Sequence, residues 1–157
     1  MGVFYYKMFK ALQDKLDKFQ SLSEDDLMKF LFENDGLKDE IIYLNTFGQL
    51  YEGVDSEGKE LGQYSPYTIQ LKLTNTYGGD TRVDHITLRD TGEFYDSFKI
   101  SLTPNYDLLI TSQPQKDETN LLREFGEDII GLTEESLNKI QSMVKFIAQN
   151  YVKQAIQ

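Results

Sequence analysis

The stretch Ile86-Thr87-Leu88-Arg89-Asp90-Thr91-Gly92-Glu93-Phe94-Tyr95-Asp96-Ser97-Phe98 decides how the fold reads. Ile86 and Leu88 alternate with polar neighbours, which predicts a strand over 84–89. Asp90-Thr91-Gly92 breaks that alternation. Asp90 or Thr91 supplies an oxygen for the backbone amides at 92–94, Gly92 permits a sharp turn, and one turn of helix follows. Ser97 is placed to satisfy a carbonyl before alternation resumes at Phe98, Ile100 and Leu102. That run meets the turn Pro104-Asn105-Tyr106-Asp107, beyond which Leu108 and Ile110 alternate again. Residues 98–112 therefore read as a β-hairpin, and strands are expected at 84–89, 98–103 and 107–112.

Working outward, the flanks are helical. Phe9, Leu12, Leu16 and Phe19 recur at spacings of three and four between Lys10, Asp14, Lys15 and Lys18, which predicts an amphipathic helix over about 3–20. Ser23 before Glu24, Asp25 and Asp26 caps a second helix through Leu27 to Phe32, with carboxylates where the helix dipole favours them. Asn34-Asp35-Gly36 is read as its end. A third helix is expected in 38–51 through Ile41, Ile42 and Leu44. Residues 53–64 form a glycine-punctuated polar loop, and Ser65-Pro66 opens a short helix from Tyr67 to Leu73. Tyr77-Gly78-Gly79-Asp80 reads as a flexible tip. Thr133, followed by Glu134 and Glu135, caps a closing helix over about 134–155 whose apolar face is Leu137, Ile140, Val144, Ile147 and Tyr151. The expected fold class is α+β: one domain over 1–157, with a helical region over 1–50, a small antiparallel sheet core over 84–112 covered by helices, and the long C-terminal helix.

Composition narrows the chemistry. The chain has 157 residues, no cysteine and one histidine, which excludes disulfides, thiolate zinc sites and a thiol nucleophile and predicts neither metal nor cofactor. The absence of cysteine suits a reducing cytosol. No signal peptide or membrane span is read in the N-terminal residues. A net charge of -10 and a sequence pI near 4.5 argue against a general nucleic-acid binder, because such proteins draw affinity from neutralising phosphates. Carboxylates dominate 24–60, whereas the first twenty residues are mildly basic. Ten Tyr and ten Phe suit contact surfaces, since aromatic residues are enriched at interface cores.

The corner motif, taken as Leu88, Asp90, Thr91, Gly92, Phe94 and Ser97, resembles the Leu-x-Asp-Thr-Gly-x-Leu-x-x-Ser pattern of the phage virion morphogenesis or tail completion (head-tail joining) family, with Phe94 in place of the usual Leu. Upstream, Asp55, Gly58, Leu61, Tyr64, Ser65, Pro66 and Thr68 approximate that family's Asp-x-x-Gly-x-x-(aromatic)-x-x-Leu-Ser-Pro-x-Thr stretch. Downstream, Phe125-Gly126 and Ile130-Gly131-Leu132-Thr133-Glu134-Glu135 match its Phe-Gly and its Gly-Leu-Ser/Thr-x-Glu entry to a closing helix. The resemblance runs in order over about residues 50–140. The family's tryptophan before Ser-Pro is missing, and the first fifty residues have no counterpart in it.

The resemblance implies a non-enzymatic virion protein of the neck, assembled in the host cytoplasm. It implies a homo-oligomeric ring of six or twelve copies between portal or adaptor and tail proteins, with genomic DNA passing without specific binding and no membrane partner. A head-to-tail ring needs two different patches per subunit. Asp55, Gly58, Leu61, Tyr64, Phe125 and Gly126 are the candidate interface residues, alongside the aromatic helical ends.

Other chemistry fits less well. Asp90-Thr91-Gly92 is also the triplet of the small homodimeric aspartic proteases, with Ile129-Ile130-Gly131 like their supporting element. Those enzymes need apolar residues before the aspartate and small ones after it, whereas Arg89 precedes Asp90 here and Glu93, Phe94 and Tyr95 follow Gly92. His85 beside Asp84 lacks any nucleophile-elbow context. The pairs Asp25/Asp26 and Glu134/Glu135 lie where helix first turns favour negative charge. Asp55-x-Glu57-Gly58 lacks EF-hand spacing, and Gly78-Gly79-Asp80 lacks the lysine of a phosphate loop. An acidic DNA mimic directed at a host factor would array its carboxylates on one face, and the Lys and Arg interspersed after residue 70 run against that.

Overall fold

The computed structural model describes residues 2–76, 79–103, 105, 107–116 and 119–157. The chain divides into two compact units, Met1–Leu37 with Gln141–Gln157, and Lys38–Ile140. Lys and Arg balance Asp and Glu at seven each in the first. The second carries nine against nineteen, so the whole net charge of -10 resides there.

The first unit is helical. Helix α1 (Gly2–Gln20) matches the predicted amphipathic helix. Helix α2 (Glu24–Phe32) starts at Ser23, whose Oγ accepts from the Asp26 amide (3.1 Å) and donates to the Asp26 carboxylate (2.6 Å). Phe30 packs on Tyr151 with ring centroids 4.8 Å apart, and Leu31, Leu37 and Ile147 are buried. Asn34-Asp35-Gly36 ends α2 but also starts the next helix, α3 (Asp35–Thr46), because the Asn34 side chain accepts from the Leu37 amide (2.9 Å). The third helix therefore begins earlier than 38, and it gives way to a 3-10 turn at Leu50–Glu52. Helix α7 (Glu134–Ala155) is the closing helix. Its cap is the predicted Thr133, whose Oγ1 accepts from the Ser136 amide (3.2 Å).

The second unit holds the antiparallel sheet and a core of Leu50, Phe94, Tyr95, Phe98, Leu121 and Ile129. Strands β1 (Lys99–Leu102) and β2 (Leu108–Thr111) pair antiparallel in the expected hairpin, Ile100 facing Ile110. Pro104 and Tyr106 of its turn lie outside the described residues. A two-residue pair, β3 (Gln115–Lys116) with β4 (Thr119–Asn120), follows, and then α6 (Leu121–Phe125), capped by Asn120; neither was predicted. Helix α4 (Pro66–Leu73) has the expected cap, Ser65 Oγ accepting from the Thr68 amide (3.1 Å). The class is α+β with a small antiparallel sheet and a long C-terminal helix.

The expected strand at 84–89 is absent: no ladder forms there. Its amides go elsewhere, and that is the physical reason. Ile86 donates to the Gly62 carbonyl (2.9 Å), Thr87 to the Tyr64 hydroxyl (3.0 Å) and Arg89 to its neighbour Thr87 Oγ1 (3.2 Å). Leu88 sits at φ 51°, a left-handed conformation that no strand tolerates. The apolar alternation misled because the fully buried residue of the run is the polar one between, Thr87.

The cap on helix α5 (Glu93–Asp96) also differs from expectation. Gly92 itself, which has no side chain to cap with, is the N-cap, at φ 103°. Ser97 behaves as expected: its Oγ donates to the Phe94 carbonyl (2.6 Å) and accepts from the Gln113 amide (2.8 Å).

Candidate functional site

The second unit contains a cleft of about 530 Å³ between α4, the 79–90 segment and α6. Leu71, Ile86, Leu88, Leu121 and Phe125 give it apolar walls, and Tyr64, Lys72, Asp80 and Asp90 line it with polar groups.

A buried ion pair fastens the cleft. Lys72 Nζ lies 3.1 Å from Asp80 Oδ2, and both residues are less than a tenth exposed. The ammonium also donates to the Arg89 carbonyl (3.2 Å) and rests on the Tyr64 ring (4.8 Å to the centroid). Thr87 Oγ1 (3.0 Å), Tyr51 OH (3.3 Å) and the Arg82 amide (3.3 Å) complete the donors around the Asp80 carboxylate. Burial alone would raise the pKa of Asp80. The hydrogen bonds from Lys72, Thr87 and the Arg82 amide, with the Lys72 charge, outweigh it and hold the carboxyl below the usual range. Tyr95 donates to the Thr87 carbonyl from inside the core, where burial pushes its phenol well up. Tyr64, Asp80 and Tyr95 of α5 meet at Thr87, and Tyr51 and Lys72 of α4 reach the same place through Asp80.

Gly79 and Asp80, expected in a flexible tip, are instead held. The Asp80 amide donates to the Asp90 carbonyl (2.9 Å), and a Cβ at Gly79 would run into that same oxygen. Tyr77 and Gly78 of that segment lie outside the described residues. Asp90-Thr91-Gly92 is therefore a pinned turn whose carbonyl is committed to Asp80. The bulky Phe94 and Tyr95 after it are core residues packed ring to ring, with centroids 6.3 Å apart.

A second clamp had no counterpart in the expected site. Asn45 and Gln49, both buried, spend their amides on the segment before α7. Asn45 donates to the Ile129 carbonyl (3.1 Å) and accepts from the Gly131 amide (2.9 Å). Gln49 donates to the Gly131 carbonyl (3.0 Å) and accepts from the Thr133 amide (2.9 Å). Two side chains thus do for an extended segment what a neighbouring strand would do. The signal was available: two amides four apart in the apolar stretch Ile41–Leu50 demand buried partners.

The candidate interface residues fall into two groups. Asp55 is buried, its Oδ1 accepting from the Glu57 (3.0 Å) and Lys59 (2.9 Å) amides to shape the loop, which closes by pairing Val54 with Glu60. Leu61 and Phe125 pack on the core, and Tyr64 is half-buried with its hydroxyl on Thr87. Gly58 and Gly126 are exposed. His85, half-buried, directs Nδ1 at Asp84 (3.1 Å) and Nε2 at the Tyr51 carbonyl (2.9 Å). Among the described residues no cluster of three His, Cys, Asp or Glu is arranged to hold a metal.

No family model, curated protein or solved structure matches this chain.

Proposed function

We propose that this chain is a structural protein of a tailed bacteriophage virion, a tail completion component that forms a homomeric ring in the neck between portal or adaptor and tail. The ordered resemblance over residues 50–140 carries the reading. The geometry supports it in one respect: the resembling residues up to Glu135 all belong to the acidic unit, and most of them shape it. Asp55 builds the loop, Tyr64 reaches Thr87, Ser65 caps α4, Gly92 and Ser97 turn the corner, Phe94 fills the core, and Thr133 caps α7.

A unit fastened by an ion pair and two amide clamps is suited to bearing load in an assembly. Its ten excess carboxylates would repel a passing genome, so DNA moves by without adhering. No helix of the described residues is long and apolar enough to cross a membrane. The test is genetic. A phage lacking the chain is expected to accumulate filled heads and separate tails that join once the purified protein is added. Normal joined particles without it would overturn the proposal.

A further inference from the structure

Helix α1 is a helix in search of a partner. From Leu12 to Gln20 every residue is exposed, including Leu12 (64%), Leu16 (47%) and Phe19 (54%), which share one face. Isolated helices of this length are marginal in water and draw their stability from burying such a face. Lys15 borders the stripe with Lys18 behind it, and on the opposite edge Gln13 is bonded to Asp17 (2.8 Å). Helix α1 holds four lysines against two aspartates, a basic segment in a chain of net charge -10.

The acidic unit carries a matching surface. Tyr43 (54% exposed) and Phe47 (40%) stack at 6.0 Å, and Phe47 meets Tyr51 at 5.8 Å, making an aromatic row along α3 and the 3-10 turn. Its steps match those of Leu12 and Leu16, about 6 Å apart along a helix axis. Asp39 and Glu40 lie one turn before Tyr43. Of the cations nearby, Lys139 pairs with Glu135 (2.8 Å) and also acts on Glu40, Arg82 pairs with Glu52 (3.1 Å) over the Tyr51 ring, and Arg89 lies over the Phe47 ring.

We propose that the apolar face of α1 docks on the Tyr43–Phe47 row of a second copy of this chain, with Lys15 and Lys18 meeting that copy's Asp39 and Glu40. Because donor face and acceptor row are different surfaces, the contact is head-to-tail and repeats by rotation, which is what a ring requires. It deepens the ring reading of the neck proposal by naming its interface. A lipid surface would use the same amphipathic face, but an anionic bilayer that attracts α1 would repel the far larger negative charge of the acidic unit, whereas a second copy supplies an acidic counterpart.

The chain has no cysteine, so engineered thiols report without background. Full-length Leu16→Cys is mixed with full-length Tyr43→Cys under mild oxidation at about 100 µM, high enough to populate weak contacts. The expected product is a covalent dimer of one of each, formed well above a pairing with Gln154→Cys at the far end of α7. Lys15→Glu with Lys18→Glu should lower the yield about tenfold, and Asp39→Lys with Glu40→Lys in the other chain should restore it. All four charge changes are on solvent-accessible side chains, and unchanged circular dichroism confirms that the variants fold. Yields no higher than the Gln154→Cys control, Leu16–Leu16 dimers in excess, or cosedimentation of the full-length chain with phosphatidylglycerol vesicles in place of dimerisation would each overturn the proposal. A crosslinked dimer from a chain absent from virions overturns the neck reading alone. A chain present in virions without the crosslink overturns this interface alone.

Discussion

Replacing Lys72 with Met keeps most of the side chain's bulk while removing the cation from Asp80. Breaking a buried pair by deleting one partner costs about 3–5 kcal/mol, because the remaining charge is left in a poorly solvating site. Here Asp80 keeps Thr87, Tyr51 and the Arg82 amide, so the lower end of that range, about 3 kcal/mol at neutral pH, is expected. The pH dependence gives the sharper test. In the wild type the Asp80 pKa is depressed, so its ionisation stabilises the fold above the unfolded value, near 3.8, and that contribution is lost as pH falls through the lower folded value. In Lys72→Met, burial acts without the opposing ammonium and the folded pKa rises. The stability gap between wild type and variant is then widest near pH 7 and is smaller in acid, at about pH 4, because the variant's carboxyl takes up a proton more readily than the wild type's. Urea unfolding followed by circular dichroism at both pH values measures it. A loss below about 1 kcal/mol at neutral pH, the level of an exposed pair, or a gap that does not narrow in acid, would refute the reasoning.

Other expectations follow from the same unit. Asn45→Ala and Gln49→Ala each strand two backbone groups of the 129–133 segment, at about 1–3 kcal/mol apiece, and faster hydrogen exchange at the Gly131 and Thr133 amides should accompany the loss. Gly79→Ala must displace the Asp90 carbonyl, so a drop in melting temperature larger than that of Gly58→Ala, which is strained by its φ of 75° but whose added methyl meets nothing, is expected by calorimetry. Tyr95→Phe removes only the hydrogen bond to the Thr87 carbonyl and should cost about 1 kcal/mol by chemical denaturation, with the ring packing kept.

Local signals in the sequence were strong wherever a single side chain decides a local feature. Ser23, Ser65 and Thr133 each cap the helix that their neighbours announce, and Asp55 turns its loop through two nearby amides. The hairpin 98–112 was readable because its alternation belongs to a true ladder. The same alternation failed at 84–89, where Tyr64, from twenty-three residues upstream, takes the Thr87 amide and the described residues offer no partner strand. Nothing local to Ile86 or Leu88 announces that. The pinning of Gly79 and Asp80 was hidden for a related reason: a Gly-Gly-Asp run has the composition of a free turn, and only Lys72 and Asp90 in space make it a fixed one. Asp55, Leu61 and Tyr64, read from the sequence as contact residues, also shape their own unit. The Asn45 and Gln49 clamp reaches more than eighty residues along the chain, a distance over which pattern carries no information, although the buried amides themselves called for partners.

The central claim, that this is a neck protein of a virion, is tested most directly on purified particles by mass spectrometry joined to cryo-microscopy. The account predicts the chain in fixed copy number, as a sixfold or twelvefold ring between portal and tail. Absence of the chain from the mature virion, or its presence only on the capsid shell, would contradict it.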